Sequence, residues 1–92
     1  LTIMANKRTL KKTINYIAGE LFTECVVLKS FIPEVNVEKT NDIMTKVLYM
    51  QDEFLRRTNH PEPGNVKGYY KKLREDFNKQ LHALIEEIGT LH

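Results

Sequence analysis

A chain of 92 residues with 41% hydrophobic and 28% charged residues suits one folded domain and is too apolar for a disordered segment. Its net charge of +2 excludes a strong overall pull on polyanions, so any electrostatic function depends on where the charges sit. A single cysteine, Cys25, excludes an internal disulfide, and the longest apolar run, Cys25-Val26-Val27-Leu28, falls far short of the ~20 residues a membrane-spanning helix needs. The expected protein is cytoplasmic and makes no membrane contact.

Met4 fits a translational start, which would leave residues 1–3 outside the natural chain. Residues 1–8 read as an N-terminal tail and 9–92 as a single helical domain. Leu10, Ile14, Ile17, Leu21, Cys25, Leu28 and Ile32 fall on one side of a helical wheel, so the spacing predicts a first helix over about 9–32. Thr9 suits its N-cap, and Pro33 ends it by lacking an N–H and restricting Ile32. Asn36 is placed to cap a second helix over about 37–57. Its expected buried stripe is Val37, Thr40, Ile43, Met44, Val47, Leu48, Gln51, Phe54 and Leu55.

Residues 58–64 hold Pro61, Pro63 and Gly64 and read as the one substantial loop. Asn65 then suits an N-cap, and Val66, Tyr70, Leu73, Phe77, Leu81, Leu84, Ile88 and Leu91 predict a third helix over about 65–91. No segment alternates with the two-residue period of a half-buried strand. Short links between long helices predict an all-α, antiparallel up-down-up three-helix bundle, with a helical hairpin that completes its core by dimerising as the rival.

That topology gathers ten of the fourteen basic residues at one end. Arg56 and Arg57 there follow Asp52 and Glu53 by four residues, so helix pairing accounts for them, whereas Lys71 and Lys72 precede Glu75 and Asp76 by four, the weaker orientation, and are accounted for in part. Lys7, Arg8, Lys11, Lys12 and Lys67 instead stand at the positive ends of helix dipoles, which costs each about 0.3–1 kcal/mol. With Tyr69 as a stacking ring they form a candidate anion or nucleic-acid face. Tyr70 lies on the apolar stripe, with its ring expected in the core and its hydroxyl at the solvent rim.

A second candidate face is the outer side of the first helix. Asn15, Gly19, Phe22 and Val26 recur at spacings of four, three and four, about 120° from the main stripe, and Lys29 continues the seam. Tyr16 and Val27 add apolar surface on the opposite flank. Gly19 lets another backbone come close, so this seam predicts a homo-oligomer or a protein partner. Catalytic, cofactor and metal sites are expected to be absent. Gly64 and Gly68 match no phosphate-binding loop, His60, His82 and His92 form no ligand pattern, and Cys25 sits on the core stripe.

The segments KRTLKKTINYIAGELFTEC and EPGNVKGYYKKLREDF resemble those of small bacterial all-helical proteins that carry no assigned activity. The likeness covers most of the chain from Met4. It implies a bacterial cytoplasmic protein and supplies no site residue. The sequence therefore predicts a non-catalytic interaction or self-associating module, with nucleic-acid or polyanion binding at the basic end as the alternative.

Overall fold

Asn36 and the two proline-containing links divide the chain into three helices, α1 (Lys7–Phe31), α2 (Val37–Asn59) and α3 (Val66–Gly89). The structure, a computed structural model, describes residues 7–91. Residues 1–6 of the expected tail, with Met4, and His92 lie outside the described residues. Lys7 and Arg8, expected in the tail, are already helical, which puts Thr9 in the first turn of α1 and not at its cap. The Thr9 carbonyl accepts a bond from the Thr13 hydroxyl at 3.0 Å. Asn36 caps α2 as expected, its Oδ1 accepting from the Lys39 N–H at 2.9 Å. Asn65 holds the N-cap position of α3 but makes no side-chain cap bond.

α1 packs against α2 and α2 against α3, in the up-down-up order of a three-helix bundle. Polar bonds fix the antiparallel register. The Gln51 amide donates to Asn15 at 2.8 Å and the Lys29 ammonium to Asn41 at 2.6 Å, tying α2 to α1. Lys46 donates to Glu87 at 2.9 Å and Arg57 to Asp76 at 3.0 Å, tying α2 to α3. The core draws Leu10, Ile14, Ala18, Cys25 and Leu28 from α1, Ile43, Val47, Met50 and Phe54 from α2, and Tyr70, Leu73, Phe77, Leu84 and Ile88 from α3. Phe54 and Phe77 meet edge to face, centroids 5.3 Å apart.

The stripe expected on α2 needs correction at its margins. Val37 and Leu48 are exposed, whereas Met50 and Thr58 are buried. The reason is the central place of α2: its buried arc must also face α3, which draws in Met50 and Thr58 and leaves Leu48 on the rim beside α1. Thr40 and Thr58 are buried at no polar cost, because their hydroxyls donate to the carbonyls of Asn36 and Phe54 at 2.8 and 2.6 Å.

Gly64 in the α2–α3 link and Gly68 in the first turn of α3 carry opposite expectations. Gly64 has φ of +86°, a left-handed backbone, so Gly64→Ala should destabilise the fold by about 1–2 kcal/mol. A Cβ at Gly68 would lie 2.7 Å from Asn65 Oδ1, a short side chain that makes no cap bond and can turn away. Gly68→Ala should therefore recover most of the ~1 kcal/mol helix-propensity difference and raise stability. Urea unfolding of the two variants checks both signs.

Candidate interaction surfaces

At the basic end the fold does bring the start of α1, the end of α2 and the start of α3 together. Lys7, Arg8, Lys12 and Lys67 are exposed there and Lys11 is half-buried. Tyr69 is differently used. Its hydroxyl donates to the Arg57 carbonyl at 2.9 Å and its ring meets Tyr70 edge to face at 5.6 Å. The Tyr70 hydroxyl, expected at the rim, is instead buried and donates to the Thr58 carbonyl at 2.7 Å. Both tyrosines thus close the C-terminal turn of α2, whose last carbonyls need donors. Burial pushes the Tyr70 phenol above its ordinary range. What the basic end offers to solvent is chiefly lysine.

Arg57 at this end is tied into the fold, and Arg56 pairs on the surface of its own helix. Arg57 lies over the Phe54 ring at 4.8 Å and bridges Asp76 at 3.0 Å and Glu53 at 3.6 Å. Arg56 pairs with Asp52 at 2.5 Å, and Lys72 reaches Asp76 at 3.7 Å. The Arg57 hydrogen bond holds the Asp76 carboxyl below its ordinary range, helped by Lys72 and Lys79. A carboxyl depressed in the folded state lends stability that is full above the unfolded carboxylate range, about pH 4, and is lost as pH falls through the folded value. The wild-type urea midpoint should accordingly drop on acidification by more than that of Asp76→Asn. Equal acid sensitivity would show that the pair contributes nothing.

The seam on α1 is divided by the fold. Asn15 bonds to Gln51, Lys29 bonds to Asn41, and Phe22 is half-buried against the core. Gly19 is open, with nothing within 4 Å of a Cβ built there, and Val26 is 42% exposed. The register set by the two α1–α2 bonds puts Leu48, 51% exposed, about level with Gly19 and one turn from Phe22. Met44, half-buried, follows one turn along α2. The seam is therefore an apolar strip shared by α1 and α2, closed at each end by a polar rung. Periodicity within α1 could not supply Leu48, because a second helix contributes it.

The opposite flank of α1 looks toward α3. The two helices leave between them a groove of about 370 Å³ lined by Glu20, Leu21, Glu24, Ile85, Ile88 and Gly89. Cys25 is buried, and burial, then Glu24, pushes its thiol above the ordinary range, away from nucleophilic character. His60 and His82 are exposed and far apart in the chain, and among the described residues no group of three His, Cys, Asp or Glu could hold a metal ion. No described helix is long and apolar enough to cross a membrane. No family model, curated protein or solved structure significantly matches the chain.

Proposed function

We propose that this chain is a non-catalytic helical interaction module that self-associates through the α1–α2 strip of Gly19, Phe22, Val26 and Leu48. The observation that carries the reading is that one strip presents two exposed aliphatic side chains, Val26 and Leu48, with a half-buried Phe22 between their levels. Leu48 widens a one-helix seam into a two-helix surface, and open space over Gly19 admits the backbone of a second copy. A two-fold contact of like strips buries the same apolar residues on both partners, the commonest form of a homodimer.

Phe22→Glu is a poor probe, because Phe22 also packs on the core. Leu48→Glu and Val26→Glu change exposed side chains and should leave the helical content intact. Size exclusion with light scattering is expected to give a dimer or larger species for the wild type and a monomer for either variant. A wild-type chain that stays monomeric at high micromolar concentration would end this reading.

A further inference from the structure

We infer that the open α1–α3 groove is a docking site for a basic amphipathic helix of a partner protein. This goes beyond self-association, since it uses the other flank of α1. Glu20, Glu24, Val27 and Phe31 follow one another at spacings of four, three and four, so they line a single face of α1 about 16 Å long at 1.5 Å per residue. The first two stand on the groove wall, and the face continues past it with Val27 and Phe31, which is 78% exposed. Leu21, Ile88 and the half-exposed Ile85 supply the apolar floor. A short groove prolonged by an exposed face of α1 is the complement of a helix read at i, i+3, i+4 and i+7.

The charge of that helix follows from the rim. Neither Glu20 nor Glu24 makes an ion pair among the described residues, in contrast to Glu87 on the α2 side of α3, which Lys46 neutralises. α3 ends at the groove with no basic residue in its last turn, so the negative end of its dipole adds to the two carboxylates. Lys39 reaches that terminus only from the α2 side, bonding the Thr90 hydroxyl at 2.8 Å. Lysine or arginine beside the apolar stripe of an incoming helix would meet all three negative groups.

The test uses the full chain and a fluorescent synthetic helix with leucine on one face and lysine on the other, alongside the same peptide with glutamate for lysine. Anisotropy should show binding of the lysine peptide, little binding of the glutamate peptide, and a loss of roughly tenfold in affinity on Glu20→Lys with Glu24→Lys. Glu62→Lys with Glu75→Lys changes the net charge equally, at exposed sites toward the other end of the bundle, and should leave affinity unchanged. So should Leu48→Glu, which separates this result from the fate of self-association. No binding, equal binding of both peptides, or equal loss from both charge reversals would overturn the proposal. Dissociation of the wild-type oligomer by the peptide would put a second copy in the groove and overturn it as well.

Discussion

Phe54→Ala is expected to cost about 3–5 kcal/mol of unfolding free energy, the largest loss of any single truncation in this chain. Phe54 has no exposed surface and lies on the central helix, where its ring meets Phe77 edge to face and carries the Arg57 guanidinium. Deleting it opens a cavity in the α2–α3 contact and removes the surface that positions the Arg57–Asp76 bridge. Against a total of about 5–15 kcal/mol for a domain, that loss would bring the chain close to unfolding at ambient temperature. Urea denaturation followed by circular dichroism measures it, with Tyr49→Ala, at an exposed site, expected to stay within about 0.5 kcal/mol. A loss for Phe54→Ala no larger than that of Tyr49→Ala would contradict the packing described.

Ile14→Ala should cost about 2–5 kcal/mol and show a different pattern of opening. Ile14 is fully buried in the core, and α1 packs chiefly on α2, leaving a groove toward α3 further along at Glu20 to Glu24. An outer helix that loses its own core side chain opens more readily than the helix between two neighbours or an outer helix left intact. Amide hydrogen exchange in Ile14→Ala should therefore accelerate most in α1 while α2 and α3 keep more of their protection. Uniform acceleration across all three helices would show that α1 is bound as firmly as the rest and that the bundle unfolds only as a whole.

The helices were legible in the sequence because their signals are local. Pro33, Asn36, and the Pro61 to Gly64 loop punctuate the chain, and the apolar spacing of three and four needs no neighbour to be read. Where the reading missed, the cause lies in what another helix contributes. Met50 is buried and Leu48 exposed because α2 faces α3 as well as α1, an arc that the α2 wheel alone does not locate. The Tyr70 hydroxyl turns inward because the Thr58 carbonyl at the end of α2 waits for a donor. Of the candidate surfaces, the sequence marked Gly19, Phe22 and Val26 but not Leu48, and it saw Tyr16 and Val27 without the groove beside them. The fold assigns Tyr69 to a structural bond, so the stretch Gly64 to Lys72 serves largely to join α2 to α3.

The most direct test of self-association through the α1–α2 strip is a dilution series of amide NMR spectra from millimolar to micromolar protein. Concentration-dependent shifts centred on Gly19, Phe22, Val26 and Leu48, absent in Leu48→Glu, are the result predicted. Spectra that do not change with concentration, or shifts confined to the basic end around Lys11, Lys12 and Lys67, would contradict it.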